Sequence, residues 1–414
     1  MAAKWKKKSK PELVIDRIKK HASINDKGIL SFAGFEFFQY EAALHAIIDF
    51  GENISFKTKK ELRDKSLRAC LRNGSLTAKD FINTINKEIS IYKQKQDSVF
   101  VLTTSVSLSG GLPISKIVLP DAVVQSYSKG LPKKYKNRSA HDNKWLELFS
   151  DSPLPPLYSH VAVRVNAKRP SDAFDIAVNS LDFIRGVVGL NVNSSYQISL
   201  GTGLSKPLNK VMLGGMHCLH FENGELVFPD FFWYERHYKE RSVTDINERR
   251  KYIAKGCRFL LGSLSKYPKE DFDLLRNAIA RYARAFDEYD RDVLIQKMWA
   301  ALESIVASGE NNADVIVRRC SYLYSDREYA SQVLEYIRDY RNQNVHRGHS
   351  EEGLDHYCFE LQKFFRELVI FYARFSRLFT SLSEANRFLD CSDNERKLER
   401  EIEILTRAKK FRFG

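Results

Sequence analysis

Arg341, Asn342 and His346 fall within six residues of one another, and Arg347 and Gly348 follow at once. A guanidinium is always charged and can hold a phosphate through two parallel N–H bonds. An imidazole moves protons near neutral pH. Together they are the groups that cleavage of RNA needs, with positive charge set against the charge that grows on phosphate. The run before them has Val333, Leu334, Ile337 and Tyr340 at helical spacing, which predicts a helix that stops at Gly348. Asn342 and His346, four apart, share a face of that helix. Arg341 lies about 140° around from His346, so both reach one phosphate only from a groove edge or a loosened helix end. As a bare pattern the motif is weak. Arg341, His346 and Arg347 near a helix C-terminus also complement its dipole, at about 0.3–1 kcal/mol each.

The flanking segments add weight. Upstream, Leu294, Ile295, Met298, Trp299, Ala301, Leu302, Ile305 and Val306 form an apolar helical stripe with Glu303 beside it, ending near Ser308 and Gly309. Downstream, Leu361, Phe364, Phe365, Leu368, Val369, Phe371, Tyr372 and Phe375 form a second long apolar face. Two core helices therefore bracket the one that carries Arg341 and His346. With Trp299-Ala300-Ala301-Leu302-Glu303 on the earlier helix and Arg341-Asn342-x-x-x-His346-Arg347-Gly348 on the later one, the chain resembles the HEPN domains. Within them it is similar to the ApeA-like group of prokaryotic defence and toxin proteins. The likeness covers roughly residues 270–385.

The resemblance implies a small helical bundle and a metal-independent endoribonuclease, in which two copies of the motif face each other across a dimer groove. Carried over, Arg341 and His346 would be catalytic and Asn342 would support them. Glu303, on the facing helix, would orient Arg341 or sit in the polar network. The implied reaction is attack of a ribose 2′-hydroxyl on the adjacent phosphate, leaving a 2′,3′-cyclic phosphate and a 5′-hydroxyl. No cofactor and no metal enter that scheme.

The whole chain sets the bounds. Its 414 residues suffice for two or three domains, and 43% hydrophobic with 29% charged residues is a globular composition. No apolar run approaches the roughly 20 residues of a membrane-spanning helix. The basic start, Lys4 to Lys10, leads into Pro11 and Glu12 rather than a signal-peptide core, which predicts a cytoplasmic protein. The six cysteines (70, 218, 257, 320, 358, 391) lack CxxC spacing and read as reduced, mainly buried thiols. A net charge of +14 favours a polyanionic partner, above all nucleic acid. Lys133, Lys134, Lys136 and Arg138, with Arg347, are candidate RNA contacts. Tyr135, Phe411 and Phe413, interleaved with basic residues, would suit base stacking.

The expected fold class is α+β. Residues 1–95 read as a basic, mostly helical segment with a frayed start, and 96–235 as an α/β regulatory or sensing domain with a mixed sheet. In that domain Ser98–Val106 and Tyr158–Val165 are the clearest strands, the basic stretch 127–145 reads as a surface excursion, and Glu222-Asn223-Gly224 is a hairpin turn joining strands at 218–221 and 226–228. A strand is also expected at 196–200. Residues 236–386 read as the all-α HEPN-like bundle, its last long helix spanning 354–382, and 387–414 as a charged C-terminal helix and tail.

Other candidates are weaker. Gly201-Thr202-Gly203-Leu204-Ser205-Lys206 lacks the spacing of a phosphate loop and reads as a turn. His217, Cys218 and His220 are potential zinc ligands without a second cluster, so no metal site is expected there. The aromatic run Phe228 to Tyr234 reads as core or interface packing. His349 and His356 follow the motif and read as solvent-exposed. The leading expectation is an antiphage, abortive-infection or toxin ribonuclease acting as a homodimer through its helical domain, with an antitoxin or trigger molecule as further partner. The alternative is a non-catalytic HEPN protein that binds RNA or dimerises for regulation.

Overall fold

The computed structural model describes the chain apart from residues 1, 25–29, 33, 35, 52–53, 150–151, 153–154, 156, 194–208, 236–237, 239–241, 308–313 and 348–353, and apart from the side chains of residues 24, 30 and 345–347. The expected strand at 196–200, the turn at 201–206, the helix end near 308–309, Gly348 and His349 lie outside the described residues. The fold class is α+β: a six-stranded antiparallel sheet and a helical C-terminal region.

The residues pack as two units. One comprises 1–102, 164–177 and 219–223, the other 103–163, 178–218 and 224–414.

The first unit is built on α1 (Pro11–His21), α2 (Glu36–Ala46), α3 (Phe56–Arg72) and α4 (Ala78–Gln94). Strand β1 (Lys4–Trp5) is the exception to the expected frayed start. Beside β2 (Ala22–Ile24) and β3 (Leu30–Phe32), which pair with each other, β1 pairs with β4 (Ile48–Asp49). It is fixed because Ala3 is buried and donates its N–H to Asn86 at 2.7 Å, while Trp5 stacks on Phe81. Ile15, Ile18, Leu44, Leu62, Phe81 and Ile85 form the core of this unit.

The sheet contains β5 (Ser98–Val106), β6 (Lys116–Val118), β7 (Ala122–Tyr127), β8 (Ser159–Ala167), β9 (Met216–Phe221) and β10 (Trp233–Tyr234), in the order β10-β9-β5-β8-β7-β6. It is antiparallel where a mixed sheet was expected. The hairpin turn forms, with Gly224 at φ +95°. Only glycine fits there, since a Cβ would lie 2.2 Å from the Lys134 carbonyl oxygen. The returning strand is β10 rather than 226–228, with Trp233 opposite His217 and Tyr234 opposite Met216.

The stretch 127–145 is also more regular than expected. A short 3-10 helix, Lys133–Arg138, runs into α5 (Ser139–Leu148). Tyr135, Arg138, His141 and Trp145, spaced by three or four, turn one face inward beneath the charged surface.

Helix α6 (Pro170–Val192) precedes the C-terminal region, which runs through α7 (Arg250–Leu264), α8 (Lys269–Ala285), α9 (Arg291–Val306), α10 (Asp314–Ser321), α11 (Arg327–Arg347) and α12 (Asp355–Arg374). Two further helices close it: α13 (Leu382–Leu389) and α14 (Glu395–Phe413). The single helix expected over 354–382 ends at Arg374. There Phe371, Phe375, Phe379 and Phe388 gather into one aromatic cluster that needs the chain to turn, and Ser381 caps the next helix by accepting from the Glu384 N–H. No residue of α14 is buried.

Candidate active site

Ala330, Leu334, Ile337 and Tyr340 are buried at the helical period and seat α11 in the bundle. At its end two polar contacts join it to α9. The Tyr340 hydroxyl donates to Asp292 at 2.5 Å, and one turn on, the Gln296 amide donates to Asn344 at 2.7 Å. On another side, Tyr340 stacks on Tyr357 of α12 with ring centroids 6.0 Å apart, and Tyr336 lies 5.2 Å from the same ring. The last turns of α11 are thereby held from both α9 and α12.

Arg341 sits within this frame and is half-buried. Its guanidinium donates to the Asn342 side-chain oxygen at 2.9 Å. Its Nε–H is buried with no hydrogen-bond partner, and among the described residues no carboxylate meets it. Other partly buried arginines of the helical region differ: Arg291 pairs with Asp355 at 2.7 Å, Arg338 with Asp314 at 2.6 Å and Arg366 with Glu367 at 2.7 Å. A partly desolvated guanidinium that meets Asn342 but no described carboxylate has donors that an incoming phosphate would satisfy.

The helix continues unbroken through the motif to Arg347, so His346 lies on α11 one turn beyond Asn342. The side chains of His346 and Arg347 lie outside the described residues. Glu303 is not brought to Arg341. Its side chain is exposed, with no partner among the described residues, and it stands seven residues beyond Gln296, about 10 Å along α9. The first half of α9, through Asp292 and Gln296, is what meets α11. Sequence reasoning missed both residues. Their only signal was a polar residue at positions 292 and 296, four apart on a helix otherwise rich in buried apolar positions.

The expected RNA contacts divide. Lys133, Lys134 and Lys136 are exposed. Arg138 is not available on the surface: it is 4% exposed, 3.6 Å from Asp142, and two of its guanidinium nitrogens have no partner among the described residues. Tyr135, expected to stack on bases, is buried as well, because both occupy the inward face of the 3-10 helix. Phe411 and Phe413 are exposed.

The second unit also holds a buried polar network that the sequence did not reveal. Arg185, fully buried, bonds Asp182 at 2.9 Å, both oxygens of Asp287 at 2.9 and 2.6 Å, and the Val211 carbonyl at 2.9 Å. Burial alone would discourage its charge, but Asp287 and Asp182 outweigh it and hold the guanidinium protonated. Arg284 links Asp182 to Glu235, and Glu235 meets His217 Nε2 at 3.0 Å, while His217 Nδ1 meets Thr104 at 2.7 Å. Burial pushes the Glu235 carboxyl up, yet the hydrogen bond from His217 and the charge of Arg284 hold it well below the usual carboxylate range. Glu235, Arg284 and Asp287 line a cleft of about 850 Å³ with Tyr234, Tyr289 and Lys297.

Of the three potential zinc ligands, His217 belongs to this network. Cys218 faces His141 instead, with Sγ 3.3 Å from Nδ1, and burial raises its thiol to about 12. Cys257, Cys320 and Cys358 are likewise pushed up to about 12 by burial, which leaves them poor nucleophiles. The aromatic run is mixed: Phe232 is buried, whereas Phe231 and Tyr234 are about half exposed.

No family model, no curated protein and no solved structure matches this chain.

Proposed function

We propose that this chain is a metal-independent endoribonuclease of HEPN type that cuts RNA with Arg341 and His346 on α11. The observation that carries the reading is the half-buried guanidinium of Arg341, which meets Asn342 but no described carboxylate, on a helix that runs on to His346. A phosphate of the RNA backbone would take the place that no described carboxylate fills. As the 2′-hydroxyl attacks that phosphate, charge grows on its non-bridging oxygens and Arg341 offsets it. His346 moves a proton, from the attacking hydroxyl or to the departing 5′-oxygen. The substrate brings its own nucleophile, so the protein's task is to position, to shuttle protons and to neutralise charge.

Asn342 holds Arg341 in orientation, and Gln296 and Asp292 hold the end of α11. Arg341 and His346 stand five positions apart on α11, about 140° around an ideal helix, so a second copy that contributes its own pair would complete the groove, as in a homodimer through the helical domain. Lys133, Lys134 and Lys136 supply exposed positive charge for RNA. The biological reading that goes with this chemistry is a cytoplasmic antiphage or toxin effector, restrained until a trigger appears or an antitoxin is lost. The test is incubation of the purified chain with total RNA in EDTA, followed by end-group analysis. New 2′,3′-cyclic phosphate and 5′-hydroxyl ends support the reading; intact RNA under activating as well as resting conditions counts against it.

A further inference from the structure

The first unit carries a cavity of about 480 Å³ whose described lining includes Lys6, His45, Phe50, Phe56 and Lys59. Its location follows from three elements. Lys6 directly follows β1, and its N–H is tied to the Ile47 carbonyl at 2.9 Å. His45 closes the last turn of α2. Phe56 and Lys59 occupy the first turn of α3, whose cap Ser55 accepts from the Thr58 N–H. Gly51, at φ +62°, lets the chain double back between β4 and α3, with its N–H bonded to Asp49 at 3.0 Å.

The charge in this cavity is unbalanced. Neither Lys6 nor Lys59 has a carboxylate partner among the described residues, and His45 Nδ1 is buried without a hydrogen-bond partner. Asp49, the one acid among the lining residues, lies 3.7 Å from Lys4. Deeper on α3, Arg63 is already matched by Glu41 at 2.8 Å and Asp64 at 2.5 Å. Burial, the charge of Arg63 and then Lys59 and Lys6 lower the His45 pKa, with Asp64 opposing. Two ammonium groups and an imidazole line one cavity, and an anion there would offset the like charge of the two lysines.

An aromatic wall stands beside this charge. Phe56 is 68% exposed, and the His45 ring lies edge-on to it at 4.8 Å, while buried Phe50 forms the floor 5.7 Å from His45. Cations beside an open aromatic face suit a phosphate attached to a flat, stackable base. The volume is also in the range of small-ligand sites.

We infer that the Lys6–His45–Phe56–Lys59 cavity binds a 5′-phosphorylated nucleotide, with the phosphate between Lys6, Lys59 and His45 and the base against Phe56. The nucleotide is either free or the 5′ end of a single strand. This site is built from residues other than Arg341 and His346 and does not depend on the nuclease reading.

The test is calorimetric titration of the full chain with AMP, with inorganic phosphate, and with 2′-O-methyl RNA decamers carrying either a 5′-phosphate or a 5′-hydroxyl. The 2′-O-methyl group keeps strand cleavage out of the measurement. Lys6→Ala and Lys59→Ala should each weaken AMP or 5′-phosphate binding about tenfold, and Phe56→Ala should weaken AMP while leaving inorganic phosphate unchanged. Unchanged thermal unfolding would show that these surface variants still fold. Binding of AMP as tight as that of the phosphorylated decamer identifies a free nucleotide; binding of the phosphorylated decamer alone identifies a strand end. The proposal is overturned if neither binds, if the lysine variants bind as wild type does, or if inorganic phosphate binds as well as AMP and Phe56→Ala changes nothing.

Discussion

The amide of Gln296 donates to Asn344 at 2.7 Å, one helical turn from the point where Tyr340 donates to Asp292. These two bonds fix the end of α11 against the first half of α9 and so set where Arg341 stands. Gln296→Ala should therefore reduce RNA cleavage about tenfold or more without unfolding the chain, since small misplacements of catalytic groups are costly. Glu303→Gln should leave the rate within about threefold, because Glu303 meets no described partner. Single-turnover rates for the two variants check this. A Glu303 variant as impaired as the Gln296 variant would return Glu303 to the site.

Burial makes Arg185 a structural charge. It ties α6 to Asp287 and to the Val211 carbonyl with no solvent contact. Arg185→Met leaves Asp182 and Asp287 short of a partner in the interior, and should destabilise the fold by about 3–5 kcal/mol. Urea unfolding midpoints of wild type and variant measure the loss. A change within about 0.5 kcal/mol would mean that the network is dispensable.

Acid should act through depressed carboxylates. Burial tends to raise Asp390, but the hydrogen bonds and charges of Arg319 and Arg318 outweigh it and bring the net shift downward. A carboxylate lowered by folding contributes stability above its unfolded pKa of about 3.9, and that contribution fades as pH falls toward the folded value. Asp390→Asn should melt earlier than wild type at pH 7, and the two melting temperatures should converge as the pH drops below about 5. A constant gap down the whole acid limb would show that another group dominates.

Helix α14 stands outside the core. None of its residues is buried, and Leu405, Phe411 and Phe413 are largely exposed. Truncation after Asn394 should leave the thermal unfolding midpoint of the remaining chain unchanged within experimental error, since no buried contact is lost. A clear fall in the midpoint would place α14 in contact with something that stabilises the fold, such as another copy.

Legibility in the sequence followed the strength of the local pattern. Apolar residues at helical spacing placed α9 within two residues at its N-terminus and correctly at its end, Val306, and β-rich runs placed β5 and β8. Lysines hid the regular structure at 133–148, because the buried face of Tyr135, Arg138, His141 and Trp145 is spread among charged neighbours and one of its members is an arginine. The break after Arg374 was invisible because Phe375 and Phe379 continue the apolar spacing; only their gathering with Phe388 explains the turn. At the candidate site the motif helix was legible and its contacts were not. Which polar residue of α9 meets α11 depends on how two helices cross, and a sequence period carries no information about that.

The most direct measurement compares Arg341→Ala, His346→Ala and Arg338→Ala with wild type on RNA in EDTA, with the ends identified. Arg338 is a matched control, on the same helix but already paired with Asp314 at 2.6 Å. The expected result is cyclic-phosphate ends from wild type and Arg338→Ala, with rates lowered at least about a hundredfold in Arg341→Ala and His346→Ala. Equal cleavage by all four proteins would contradict an active site on α11.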